Sequence, residues 1–246
     1  MHFSAARLTS LLAAFNAFSS VSAAPIEDRA VIDHDAVVPF LETIPNDRMG
    51  ITLKKFQPFV AISSGCQPYP AVDKDGNTSG GLQDTGNISA GCRDQSKGQM
   101  YARGAWYKGR YAIMYSIFMP KDQPRAGNVV GGHRFDFEFI VVWLNNPFVE
   151  NPEFLGAAVS AHGGVKKNSN PARSGSRVMV EYFAKFPTNH ELKFVDYVGR
   201  DLTLVWWESM PPESRWALEN TDFGKAVCPF KDAGNKFMSN LEKAYI

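Results

Sequence analysis

The chain has 246 residues, 44% of them hydrophobic, 13% aromatic and 21% charged, a composition that fits one globular domain and excludes a disordered chain. Its 26 Lys and Arg face 25 Asp and Glu, so there is no broad basic field and nucleic acid is excluded as a partner. After Ala23 no run approaches the roughly 20 consecutive apolar residues of a bilayer span, so no transmembrane segment is expected in the mature chain.

The opening residues place Arg7 before an apolar stretch from Leu8 to Phe18 and end in Val21-Ser22-Ala23, the pattern of a secretory signal peptide over residues 1–23. Cleavage after Ala23 leaves 25 bases against 25 acids, with His34, His133, His162 and His190 as the remaining histidines. Residues 24–45 read as an N-terminal arm, either a lead-in strand or unstructured. Within it His34 lies between Asp33 and Asp35. Neighbours in an extended arm point to different sides, so a solvated charge cluster is expected there rather than a metal pair. One domain is expected over 46–246, opening with one or two helical turns from Asn46 to Phe56 capped by Asn46 or Asp47.

Secretion implies an oxidising compartment. The three cysteines, Cys66, Cys92 and Cys228, allow three single pairings. Cys66 and Cys92 bracket a stretch rich in Gly, Asn, Asp, Ser and Pro that would be loose if untethered. A Cys66–Cys92 bridge is therefore expected, with Cys228 left as a free thiol. The same stretch carries two glycosylation sequons, at Asn77 and Asn87.

Runs rich in aromatic and β-branched residues then follow, bounded by Gly, Pro and Asn. The pattern predicts strands over Arg110–Met119, Phe135–Leu144, Leu155–Ala161, Arg177–Phe183 and Leu202–Glu208, with Trp206-Trp207 mainly core. Helices are predicted over Pro211–Asn220, capped by Ser209, and over Asn235–Ala244. Strands that do not alternate with helices, followed by a helical end, predict a mainly β chain with peripheral helices, an antiparallel β-sandwich.

The most unusual segment is Gly131-Gly132-His133-Arg134-Phe135-Asp136-Phe137-Glu138-Phe139. Alternation along a strand puts the phenylalanines on one face and Asp136 and Glu138, with Arg134, on the other, the two carboxylates roughly 7 Å apart. One face is thus expected to be core and the other charged. His133 follows two glycines that let the backbone turn its imidazole over the acids. Asp122, in the connection before it, can reach the same end of the sheet. One imidazole and three carboxylates suit a hard divalent cation, Ca²⁺, Mg²⁺ or Mn²⁺, better than zinc. The alternative is a solvated strand face in which Asp136 and Glu138 pair with Arg134 and Lys121. A glycosidase would need carboxylates opposed across a cleft, and i, i+2 on one strand sets them side by side. There is no Gly-x-Ser-x-Gly elbow, and Cys228 precedes Pro229 without a nearby His, so an enzyme is not expected.

Ala112-Ile113-Met114-Tyr115-Ser116, Met119-Pro120-Lys121-Asp122 and Gly132-His133-Arg134-Phe135-Asp136-Phe137-Glu138 resemble the signature of the necrosis- and ethylene-inducing-peptide-like proteins. Gly65 to Asp73, Ser160-Ala161-His162-Gly163-Gly164, Asn189-His190 and Asn220 to Ala226 resemble that family too. The resemblance implies a secreted β-sandwich similar to actinoporins and fungal lectins, acting as a monomer in the host apoplast. It implies a divalent cation, Ca²⁺ or Mg²⁺, held by Asp122, His133, Asp136 and Glu138. The implied partner is the sugar head group of plant plasma-membrane sphingolipids, whose bilayer family members damage. His162 and His190 match loops near that glycan surface; as plain loop histidines they would instead bond neighbouring carbonyls. Cys66 and Cys92 resemble the disulfide-bearing first type. The chain departs from the usual Gly-His-Arg-His-Asp-Trp-Glu at Phe135 and Phe137, and Ile117-Phe118 replaces the usual Trp-Tyr. A relative without cytolytic effect, lectin-like or immune-perceived, and a secreted carbohydrate-active enzyme are the alternatives.

Overall fold

The computed structural model describes residues 29–127, 131–162, 164–185 and 190–246. The expected signal peptide lies outside them. Strands are β1 (Val31–Ile32), β2 (Phe59–Ile62), β3 (Thr78–Ser79), β4 (Gln99–Tyr107), β5 (Arg110–Met119), β6 (Asp136–Leu144), β7 (Phe154–Ala161), β8 (Gly164–Asn168), β9 (Arg173–Ser174), β10 (Arg177–Ala184), β11 (His190–Phe194) and β12 (Thr203–Trp206). Helices are α1 (Arg48–Phe56), α2 (Pro212–Asn220) and α3 (Lys236–Ala244).

The larger sheet runs β12-β4-β5-β6-β7-β8, the smaller runs β11-β10-β2 with β9 beside β10, and β1 pairs with β3. Hairpins make most pairs antiparallel. However, β12–β4, β10–β2 and β1–β3 are parallel, so the sheets are mixed rather than purely antiparallel. Long connections allow this: β12 returns from far along the chain to the free edge of β4, and β2 is taken up beside β10.

In the β5–β6 register Tyr115 faces Ile140, Ile117 faces Glu138 and Met119 faces Asp136. These residues form the face of the larger sheet turned to α1 and the smaller sheet: Tyr115 Oη donates to the carbonyl of Leu53 in α1, and Tyr182 of β10 reaches Asp136. The opposite face carries Phe137, Phe139 and Trp143, and Trp143 Nε1 donates to the carbonyl of Ala244 at the end of α3. The sheet is covered on both sides. The charged face of β6 is therefore buried and not the solvated face of the alternative reading, since Asp136 and Glu138 are each only 6% exposed. The phenylalanine face is as the alternation implies: Phe118, Phe135, Phe137 and Phe223 pack ring against ring at 5.0–6.1 Å.

Local chemistry explains the element ends. Asp47 caps α1 by accepting from the amides of Met49 and Gly50, which satisfies two of the helix's orphan donors. Ser209 is not a cap: it lies in a 3-10 turn over Trp207–Ser209, and α2 starts after Pro211 with no side-chain cap. That turn also ends β12 at Trp206 rather than at Glu208. Trp206 and Trp207 are both buried. The N-terminal arm forms the lead-in strand β1, but His34 is not solvated: its Nε2 lies 2.7 Å from the Gly91 carbonyl and its ring sits against Tyr69.

Cys66 and Cys92 are bonded, with Cα atoms 5.1 Å apart. Cys228 is free and buried, and burial pushes its thiol up to about 12. The bridged loop is anchored at its start, where the Tyr69 amide donates to the Phe118 carbonyl and the Ala71 amide to Tyr101 Oη. In the same loop Asn77 is half-buried, its Nδ2 donating to Asp73, while Asn87 is exposed. Closing a loop of that length removes unfolded-state entropy. Replacing both Cys66 and Cys92 with Ser should lower the unfolding free energy by about 3.5 kcal/mol, read as an earlier urea midpoint than the wild type's; an unshifted midpoint would contradict this.

Candidate metal centre

Asp122 and His133 form an isolated antiparallel bridge beyond the end of the β5–β6 ladder. The Asp122 amide donates to the His133 carbonyl at 2.8 Å, and the His133 amide returns to the Asp122 carbonyl at 2.9 Å. This pair pins both ends of the connection between the strands, so two residues eleven apart in sequence face the same end of the sheet as Asp136. One donor atom each of Asp122, His133 and Asp136 lies within 4.8 Å of the others. Glu138 stands outside that triad, farther along β6, and lines the same pocket with His133, Asp136, Ser160, His162 and His190.

Each ligand candidate is held by a partner. His133 Nδ1 lies 2.5 Å from the Phe135 carbonyl; a carbonyl only accepts, so Nδ1 carries the proton and the lone pair of neutral imidazole sits on Nε2. That Nε2 is 3.4 Å from Asp122 Oδ2. His190 brings its Nδ1 to 2.6 Å from Asp122 Oδ1, and its backbone amide also donates to that carboxylate. The His190 ring stacks on Tyr182 with centroids 4.6 Å apart, and Tyr182 Oη donates to Asp136 Oδ2 at 2.7 Å. Ser160 donates its hydroxyl to Glu138.

Burial is severe. Asp122 is 0% exposed, and Asp136 and Glu138 share its interior. Burial, then the charge of Asp122, lifts the Asp136 carboxyl well above the usual carboxylate range. Burial, then the charge of Asp136, does the same for Glu138. Tyr182 is raised too, by burial and then by Asp136, which keeps its hydroxyl a donor. No Lys or Arg pairs with these carboxylates among the described residues. Lys121 donates instead to the carbonyls of Thr85 and Asn87 and to Gln123, and Arg134 lies over the Phe135 ring. The alternative of a solvated face neutralised by Lys121 and Arg134 is thus not what the chain forms. Clustered carboxylates without a Lys or Arg partner among the described residues, beside an imidazole whose Nε2 faces Asp122, fit a hard divalent cation.

His162 and His190 separate in role. His190 is 2% exposed and tied to Asp122. His162 sits at the β7–β8 turn on the pocket edge, with its Nε2 3.0 Å from Glu191 Oε2. Neither is merely a loop histidine on a neighbouring carbonyl. Sequence reasoning missed Ser160, Tyr182 and Glu191. Burial pushes the Glu191 carboxyl up, but the hydrogen bond from Lys166 and the charges of Lys166, His162 and Lys185 outweigh it and leave it lowered. Ser160 falls in a family-like stretch without being singled out there, and no motif marks Tyr182 or Glu191; an acid beside His190 in His190-Glu191-Leu192 was the sole local signal for the latter.

Comparison with known proteins identifies the family. Residues 52–244 match the family model described as "Necrosis inducing protein (NPP1)". The chain is 47% identical over 221 residues to NLP effector protein 10 of Phytophthora capsici, covering 88% of this chain and 92% of that one. It is similar to the solved structure of NLPPya in complex with mannosamine, with a TM-score of 0.81 and 44% identity over 88% of this chain and all of that one. A structure described as the non-toxic HaNLP3 protein superposes with a TM-score of 0.81 at 41% identity, covering 86% and 98% of the two chains. The family-model match, these likenesses and the shared fold place the chain in the NPP1 family of necrosis-inducing proteins.

Proposed function

We propose that the chain is exported to the host apoplast, where it binds the sugar head group of plant plasma-membrane glycosylated sphingolipids through a divalent cation and perturbs the bilayer. The observation that carries this reading is the convergence of Asp122, His133 and Asp136 at ligand distance, with Glu138 farther along the strand and none of these acids ion-paired to a Lys or Arg among the described residues, beside a pocket of about 220 Å³ that His133, Asp136 and Glu138 line. Asp122, His133 Nε2 and Asp136 would hold the ion directly. Glu138, held by Ser160, would act on its outer sphere. Ca²⁺ or Mg²⁺ suits such oxygen-rich ligands, and would supply a Lewis-acidic centre for sugar hydroxyls. NLPPya has been solved with mannosamine and with glucosamine, which supports an amino sugar as a probe for this pocket.

The protein's own groups set the rest of the chemistry. His190 and Tyr182 fix the two aspartates, the Tyr182 hydroxyl staying protonated as a donor. Export is supported by the N-terminal pattern and by the Cys66–Cys92 bridge; no described helix is long and apolar enough to cross a membrane. The chain acts by binding, as a monomer, rather than by catalysis: Asp136 and Glu138 stand side by side on β6. A second reading, binding without lysis, is favoured by the replacements at Phe135 and Phe137 and by the likeness to a non-toxic relative.

Replacing Asp136 with Asn removes a charged ligand at constant shape. It should weaken calorimetric Ca²⁺ or Mg²⁺ binding by about a hundredfold and abolish cation-dependent leakage of vesicles containing plant glycosylated sphingolipids. Equal titrations would sink the ion assignment, and binding without leakage by the wild type would select the second reading. The raised Asp136 and Glu138 carboxyls make a separate prediction. The native state holds their protons to higher pH than the unfolded chain does, so in the metal-free protein these two groups contribute stability that is complete below about pH 4 and is lost as pH rises through the raised values. Its melting temperature should fall between about pH 5 and about pH 8, and excess Ca²⁺ or Mg²⁺, which displaces those protons, should restore it. A metal-free melting temperature that rises over that range would contradict the buried-acid account.

A further inference from the structure

We propose that Glu191 is the positioning residue of the pocket mouth, a single buried carboxylate that staples the free edge of one sheet to the free edge of the other. The inference rests on the pocket reading above but concerns residues that take no part in holding the ion. β8 ends the larger sheet and β11 ends the smaller. Glu191 is 1% exposed on β11 and gathers basic groups from three places. Lys166 of β8 donates to its Oε1 at 2.6 Å, Lys185 just beyond β10 lies 3.6 Å from the same oxygen, and His162 Nε2 is 3.0 Å from Oε2. The cations lie outside and the acid inside: Lys166 and Lys185 side chains are 45% and 54% exposed.

Alternation along β11 divides the labour between neighbours. His190 turns to Asp122, while Glu191 turns to the β7–β8 turn. That turn supplies Ala161, His162 and Gly164 to the pocket wall. His162 also has a φ of 44°, a left-handed conformation that a non-glycine residue keeps only where its surroundings fix it. The contact with Glu191 is one such restraint. A carboxylate at this position therefore determines where the imidazole and its turn stand relative to the ion-holding acids, and through that the width open to a sugar.

The test is Glu191→Gln, which keeps the volume and removes the charge. Hydrogen exchange of Ala161, His162, Gly164 and Lys185 should rise together by about tenfold. Glucosamine affinity, measured with excess Mg²⁺, should fall about tenfold, while affinity for Mg²⁺ alone changes less than about threefold, the residual shift reflecting the field of Glu191 at Glu138. Glu191→Asp, which keeps the charge, should recover part of the exchange protection that Gln loses. Unchanged exchange, a rise confined to one of the two strand ends, or an Asp variant no better than Gln overturns the clamp. A parallel loss of sugar and ion affinity overturns the positioning role. If the wild type binds no glucosamine, the pocket reading fails while the exchange measurement still decides the clamp. Should the Gln variant not fold, Lys166→Met at a half-exposed position gives the same exchange readout.

Discussion

The exchange of two backbone hydrogen bonds between Asp122 and His133 is the constraint on which the rest of the site depends. β5 and β6 end their ladder at Met119 opposite Asp136, and without a further pairing the chain between them would be free to carry Asp122 and His133 apart. The bridge adds one more pair in the same register, three residues beyond the last rung, and so delivers an acid and an imidazole beside Asp136. Backbone pairing fixes the positions; side-chain burial then makes the cluster costly enough that a cation is the natural complement.

Positions set by β5 and β6 are refined by the smaller sheet and by the neighbouring strand β7. His190, Tyr182 and Ser160 reach the three acids from β11, β10 and β7. A carboxylate whose lone pairs are already met by a phenol, an imidazole or a hydroxyl loses rotamer freedom, so the ligand atoms are preorganised. The segment leading into the bridged loop joins this support: the ring of His190 has its Nε2 3.2 Å from Ser64 Oγ, and a β-carbon at Gly65, where φ is +85°, would stand 2.7 Å from that nitrogen. The disulfide beside Gly65 thus anchors backbone that is in contact with the support of Asp122.

What the sequence made legible follows the range of the interactions. β5 could be read to the residue, Arg110–Met119, because its ten residues are uninterrupted β-formers, and alternation across 135–139 correctly separated acids from phenylalanines. β4 was not anticipated: Gln99–Tyr107 contains Ala102-Arg103-Gly104-Ala105, which dilutes the pattern. β8, Gly-Val-Lys-Lys-Asn, and β11, His-Glu-Leu-Lys-Phe, are short edge strands whose charges mask their period. The candidate ligands were visible because they lie within seventeen residues of one another. Tyr182 and His190 contact them from 46 and 68 residues away, and no local spacing encodes such a meeting. The burial of the charged face was missed for the same reason, since what covers it is the distant smaller sheet.

The two departures from the usual heptapeptide gain meaning from this geometry. Phe135 and Phe137 belong to the ring cluster with Phe118 and Phe223, on the side of β6 away from Asp136 and Glu138. Replacing His and Trp there by Phe removes two polar hydrogen-bonding groups from an apolar cluster, and the concurrent Phe118 supplies a matching ring across the β5–β6 pair, where it stands opposite Phe137. The changes therefore compensate one another in packing. Because strand alternation separates the two faces, they reach the acids only through the backbone they share. The carbonyl of Phe135 that orients His133 is independent of its side chain, so the packing face of this segment can vary while the charged face stays as it is.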